Sequence, residues 1–219
     1  MTTRVSFEEA LGALRADVDW LGALAEEAVR GAVAALVGDD RLKAELVVAG
    51  DDQVDSLFVA LEERAYILMA QQAPVATDLR FLVSSLRVMA DHERTGDLAV
   101  SIAKLAMTDW RRESTSLILL GQMADIAVAL LGDARRAWRD KDLELAAALE
   151  GRDDALDACF RRLTGHLLAQ DGPDASGLVF HALLAGRNLE RIADHAVAVG
   201  DRVVYMITGD PSYLVAEIS

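Results

Sequence analysis

Eight acidic residues stand in four pairs, each pair four residues apart: Asp51 and Asp55, Glu93 and Asp97, Asp153 and Asp157, Glu190 and Asp194. On a helix, positions i and i+4 share a face, with Cβ atoms about 5–6 Å apart. Two carboxylates held there repel each other by a few tenths of a kcal/mol. A cation offsets that repulsion, because hard and borderline metals take several carboxylate oxygens at about 2.0–2.6 Å. The chemistry these residue types offer is therefore metal binding. Asp52 and Asp154 stand alongside as further candidate ligands. A plainer reading sits beside this one. Arg94 and Arg191 directly follow Glu93 and Glu190, and Asp97 and Asp194 come three residues after them. That spacing also makes a solvated ion-pair face.

A di-iron carboxylate enzyme would need Glu-x-x-His pairs on two helices. The residues three before His92, His166, His181 and His195 are Met89, Leu163, Leu178 and Ile192, so the pattern is absent. This disfavours the metalloenzyme reading, and no catalytic residue is assigned. His92 and His195 flank the acidic motifs, as ligands or as groups that orient ligands. Arg80, Arg87 and Arg94 recur every seven residues and make a basic stripe, for which pairing with Asp91 on the same helix is the expected role. No glycine-rich phosphate loop or nucleophile elbow is present. Cys159 is alone, which excludes an internal disulfide, and reads as a buried thiol. Trp20, Trp110 and Trp138 read as packing or interface anchors.

The elements that must position these residues are helices. Phe7, Leu11, Leu14, Val18, Leu21, Leu24 and Ala28 recur at three and four. Six helices are predicted: about 6–37, 41–72 with Asp39 or Asp40 as its cap, 74–108 with Pro74 in the first turn, 113–139, 142–170 and 174–209. Long helices joined by short turns describe antiparallel bundles. The chain also repeats itself. Gly50-Asp51-Asp52-Gln53-Val54-Asp55-Ser56-Leu57-Phe58 resembles Arg152-Asp153-Asp154-Ala155-Leu156-Asp157-Ala158-Cys159-Phe160. Asp91-His92-Glu93-Arg94-Thr95-Gly96-Asp97 resembles Asn188-Leu189-Glu190-Arg191-Ile192-Ala193-Asp194. The fold class is thus all-α, two tandem antiparallel three-helix bundles related by an internal repeat, with units at 1–110 and 111–219. A chance ion-pair face explains poorly why both acidic pairs return at matching places.

Composition limits the partners. With 36 acidic against 22 basic side chains the net charge is −14, which argues against nucleic acid. Hydrophobic residues make up 53%, enough for a sizeable core, while 5% aromatics and three prolines disfavour a β-sandwich. The first residues, MTTRVSFEEALGAL, lack the apolar centre of a secretory signal. The nearest approach to a membrane span, Ser116 to Gly132, is interrupted by Asp125 and reads as a buried helix. A cytoplasmic protein with no transmembrane segment is expected.

Two tandem three-helix units, the stretch Gln71-Gln72-Ala73-Pro74-Val75-Ala76-Thr77-Asp78-Leu79-Arg80, and Glu-Arg-x-x-Asp in both halves resemble the PhoU family. The resemblance covers essentially the whole chain. It implies a non-enzymatic regulator of phosphate uptake and homeostasis. Such a protein links the ATPase of a high-affinity phosphate ABC transporter to a sensor histidine kinase, and so represses the phosphate-starvation response. It implies a homo-oligomer, with a dimer favoured, and peripheral contact at the inner membrane face. It also implies iron or zinc clusters, multinuclear in some members, on Glu/Asp-x-x-x-Asp motifs; all four such pairs are intact here. Magnesium and manganese are the other candidate ions. A carboxylate-bridged metalloenzyme and a metal-free helical scaffold are the alternative readings.

Overall fold

Apolar residues spaced by three and four bury one side of each long helix, and that burial drives the assembly. In the computed structural model, Leu14, Val18, Leu21, Ala25, Val29, Ala32 and Leu36 form such a buried stripe along the first helix. The structure describes residues 2–72, 74, 76–109, 113–172 and 175–214. The described helices are α1 (Thr2–Gly38), α2 (Arg41–Gln72), α3 (Thr77–Ala106), α4 (Ser114–Asp140), α5 (Leu143–Ala147), α6 (Leu149–Leu168) and α7 (Ala175–Thr208). A 3₁₀ turn, Pro211–Leu214, follows. Among the described residues there is no strand.

Helices α1, α2 and α3 pack on one another, as do α4, α6 and α7 with α5. The two groups meet along α3 against α7 and α1 against α4. One hydrophobic core runs through both, so the repeats share a single interior. Trp138 joins them: it is fully buried, stacks on Phe81 at 5.7 Å between ring centroids, and its Nε1 donates to the Arg15 carbonyl at 3.2 Å. The Arg15 guanidinium lies 4.6 Å from the centre of the Phe81 ring and 5.4 Å from that of Trp138. Trp20, by contrast, is 55% exposed. Trp110 lies outside the described residues. Cys159 is buried, with its Sγ 3.7 Å from Gln122 Oε1.

The helix boundaries follow their caps. Asp40 accepts from the Lys43 N–H at 3.0 Å and opens α2. Glu113 accepts from Thr115 and Ser116 N–H at 2.8 and 2.7 Å and opens α4. Gly209, at φ 77, closes α7 by donating its N–H to the Tyr205 carbonyl at 2.8 Å. Two expectations need correction. Pro74 precedes α3 rather than sitting in its first turn, because Ala76 adopts φ 48 and the helix starts at Thr77. The predicted helix 142–170 is interrupted at Ala148. There the chain closes onto α7 at Gly200, where an added Cβ would stand 2.9 Å from the Ala146 carbonyl and 2.7 Å from Leu149 Cδ1. Helix α4 is long and apolar enough to cross a membrane by composition alone, yet half of its most apolar window is buried in the fold.

Candidate functional site

The helical pairing places the acidic residues as two groups. Asp51 and Asp55 on α2 face Glu93 and Asp97 on α3, across a close helix approach at Gly96. A Cβ on Gly96 would stand 3.3 Å from Val54 Cγ1 and 3.8 Å from Asp51 Oδ1. Burial and then the like charges of Asp55 and Asp97 push the Asp51 carboxyl up, against an opposing pull from Lys104. Glu93 is pushed up by burial and then by Asp97, with Arg94 opposing.

Asp153 and Asp157 on α6 face Glu190 and Asp194 on α7 in the same manner. This second group is under more stress. Burial, then Asp157, Asp194 and Glu190, push Asp153 up to about 6. Its Oδ1 is buried and has no hydrogen-bond partner among the described residues. Asp194 is also pushed up, by burial first and Glu190 second, although solvent reaches this residue and screens the effect. Asp52 and Asp154, one residue further round their helices, are exposed.

Arginines partly neutralise both groups. Arg94 donates to Asp97 at 3.2 Å and lies 3.6 Å from Glu93. Arg187 donates to Glu190. Both arginine side chains are more than half exposed. Among the described residues, no three carboxylate, imidazole or thiolate groups close into a ligand set around one point. Like-charged carboxylates keep their distance until a cation offsets the repulsion. What fits a cation here is the donor chemistry, all oxygen, together with the orphaned Asp153 oxygen.

The histidines separate. His92 is buried against Gly22, where a Cβ would stand 2.7 Å from its Nε2. Burial, then Arg135 and His195, hold it down to about 3, so it is a neutral imidazole in the core, and its Nε2 is buried with no hydrogen-bond partner among the described residues. His195 Nδ1 lies 3.0 Å from Asp91 Oδ1 and ties α7 to α3. The expected pairing of Arg87 with Asp91 is not made. Asp91 faces His195, and Arg87 has no ion-pair or hydrogen-bond partner among the described residues. The basic stripe thus has three fates: Arg80 lies beside Gly209, Arg87 faces a cleft, and Arg94 holds Asp97.

That cleft, about 590 Å³, lies between α3 and α7 and was not foreseen. Arg87, Arg202, His195 and Tyr213 line it together with Asp153 and Asp194 of the second acidic group. Arg202 is 6% exposed, and its pKa is lowered by burial first and by Arg87 second. A sequence signal did exist: Asp201 and Arg202 are adjacent charges inside the otherwise apolar stretch Val197 to Met206.

Comparison with known proteins gives the lineage of this arrangement. The PhoU domain model matches residues 18–106 and again 120–203. Phosphate-specific transport system accessory protein PhoU homolog 1 of Mycobacterium tuberculosis is 35% identical over 213 residues, covering 94% of this chain and 95% of that protein. The PhoU homolog of Caulobacter vibrioides is 32% identical over 211 residues, covering 94% and 91%. The crystal structure of PhoU from Pseudomonas aeruginosa superposes with a TM-score of 0.87 at 27% identity, covering 93% of this chain and all of that one. PhoU from Streptococcus pneumoniae gives 0.83, also at 27% identity.

Proposed function

We infer the function of this chain from a premise of descent: it belongs to the PhoU family. The reading is a non-enzymatic accessory regulator of phosphate transport. The carrying observation is the relationship itself, which runs through 94% of the chain to proteins named as transport-system accessories. In this reading the protein works in the cytoplasm, as a dimer, by contact with the ATPase of a phosphate ABC transporter. It passes the state of that transporter to a sensor histidine kinase and holds the starvation response down when phosphate is plentiful. Affinity capture of both partners from cells grown at high and low phosphate tests it. Capture that does not change with phosphate refutes the coupling.

The acidic groups belong to the same reading as metal sites. Asp51, Asp55, Glu93 and Asp97 would hold one, and Asp153, Asp157, Glu190 and Asp194 the other. A bound divalent ion would relieve the carboxylate repulsion that now pushes Asp51 and Asp153 up. All-oxygen donors suit magnesium and manganese, and iron and zinc also accept carboxylates. Metal analysis of the purified protein and of Asp51→Asn and Asp153→Asn variants tests this. The competing reading, a metal-free scaffold, draws on the arginines that already face Asp97 and Glu190. It requires a melting temperature unmoved by manganese, zinc or iron, since a ligand of the native state must stabilise it.

A further inference from the structure

We propose that the face formed by α1 and α4 is where two copies of this chain meet, with Arg30 of each set against Asp125 of the other. This names the contact surface of the dimer in the functional reading above and rests on that reading. Helix α4 carries one charge between Ser114 and Gly132, Asp125, yet only half of its most apolar window is buried. Ile118 is 61% exposed, and Asp125 and Ala129 continue the same stripe seven and eleven residues on. Helix α1 runs antiparallel beside it: Arg139 lies 3.8 Å from Asp19, Gly132 lies beside Glu26, and Gly121 shares a groove with Val37. That groove, about 530 Å³, is walled by Ala34 and Val37 on one side and by Gly121 and Ala129 on the other. Small residues there let another helix approach to about 8–10 Å between axes. An exposed apolar face of this kind marks a contact surface.

Charge decides the occupant. Each copy carries −14, so two copies repel each other through most of their surfaces. Asp52, Asp55 and Glu63 are exposed on α2, and Glu150 and Asp154 on α6. The α1–α4 face is close to neutral instead. Asp19, Glu26 and Asp133 are matched there by Arg135, Arg139 and Arg136. Two charges of opposite sign remain on the groove walls. Asp125 is exposed and has no ion-pair or hydrogen-bond partner among the described residues. Arg30 lies 2.7 Å from Glu26, but Glu26 also holds Arg135 at 2.8 Å, so the positive charge is only partly met. A two-fold contact brings the same patch from both copies, so that residue i meets j and j meets i. One unmatched pair on a single copy thus becomes two ion pairs across the seam. An anionic lipid surface would be repelled by the net charge. A basic partner would be drawn to the acidic helices α2 and α6 rather than to this face. From Gly121 to Arg139 the face is about 27 Å long by the helical rise and about 20 Å wide for two helices. Each copy contributes about 500 Å², and the total of about 1,000 Å² is the least that a specific contact needs. The dimer is therefore a reversible one.

The test uses the full chain in sedimentation equilibrium from about 1 to about 100 μM. The expected result is a monomer–dimer equilibrium. Asp125→Arg should weaken it about tenfold or more, because it sets like charges against Arg30 at both pairs. Adding Arg30→Glu to that variant should restore the association. Ala34→Glu puts a charge in the middle of the groove and should weaken the dimer likewise. All three positions are exposed, so the variants keep their fold, which thermal melts check. Ile67→Glu, at an exposed apolar residue of α2, should leave association unchanged. Protein that stays monomeric at about 100 μM overturns this proposal and the dimer with it, and leaves the regulatory reading standing. A dimer that Asp125→Arg and Ala34→Glu do not weaken, that the double variant does not restore, or that Ile67→Glu dissolves, overturns the face alone. Monomeric protein that pellets with phosphatidylcholine vesicles gives the face to lipid and overturns the proposal.

Discussion

Replacing Asp153 by asparagine should stabilise the metal-free protein at neutral pH and weaken its response to metal, leaving only the first acidic group to bind. The native fold holds this carboxyl up to about 6 from an ordinary 3.8, through burial first and then Asp157, Asp194 and Glu190. An acid whose pKa rises on folding penalises the native state wherever it must ionise. The penalty is full above about pH 6, shrinks as pH falls through 6, and vanishes below 3.8, where both states are protonated. Linkage alone would set it at about 3 kcal/mol. Asp153 is half-buried rather than enclosed, so solvent screening reduces this to about 1 kcal/mol. For a chain of this size that is a gain of about 2–4 °C in Tm. The assay is a set of thermal melts of chelator-treated wild type and Asp153→Asn from pH 4 to pH 8. The difference should be largest at pH 7–8 and close at pH 4. Excess Mn²⁺ should reverse the order, because only the wild type gains a ligand at the second group. A variant that melts at or below the metal-free wild type at pH 7.5, or a gain that persists at pH 4, refutes the reasoning.

Gly22→Ala should lower stability by about 1–2 kcal/mol. Overpacking against His92 costs about 1–3, and helix propensity returns up to about 1. Gly12→Ala has open space around it and should instead gain up to about 1 kcal/mol; equal melting temperatures for the two variants refute the packing argument. Trp138→Ala should cost about 3–5 kcal/mol, because a fully buried indole stacked on Phe81 leaves a cavity at the seam of both repeats; urea unfolding reads it. Glu113→Ala should cost about 1 kcal/mol by uncapping α4. Burial works against the Glu113 carboxyl, yet the Thr115 and Ser116 N–H groups and His166 hold it well below its usual range. Its contribution is therefore present above about pH 4.5 and is lost on acidification, so wild type and variant should converge in acid melts.

The helices were legible because their apolar residues recur at 3.6 and the caps at Asp40, Glu113 and Asp142 are local. The start of α3 was not, because it depends on the backbone angle of Ala76. The break at Ala148 was not, and the chain there packs closely on Gly200, more than fifty residues away. The same division holds for the site. An acidic pair four apart is readable within one helix, and the repeat makes it significant. The cleft is assembled from α3, α6, α7 and the 3₁₀ turn, and its internal tie joins Asp91 to His195 across more than a hundred residues. Arg87, His195, Asp153 and Asp194 were each readable within one helix, but not that they meet in one cleft.

The two acidic groups share a pattern but not a setting, and that difference bears on what each can do. Lys104 pulls Asp51 down in the first group. Counting from Glu93 and Glu190, the matching position in the second group is Asp201, which adds negative charge to the cleft instead. The second group also holds the more strongly raised carboxylate, Asp153, through burial first and Asp157 second, and the orphaned oxygen. It is also the one bordered by a buried arginine. On the metal reading, a cation relieves more repulsion in the second group, and the first group, with its lysine, can do with less. The two copies share the carboxylates, while arginine, histidine and a further aspartate stand beside only the second set. The second group therefore opens onto the α3–α7 seam, where helices of both repeats line one cleft, and the first group does not share that setting.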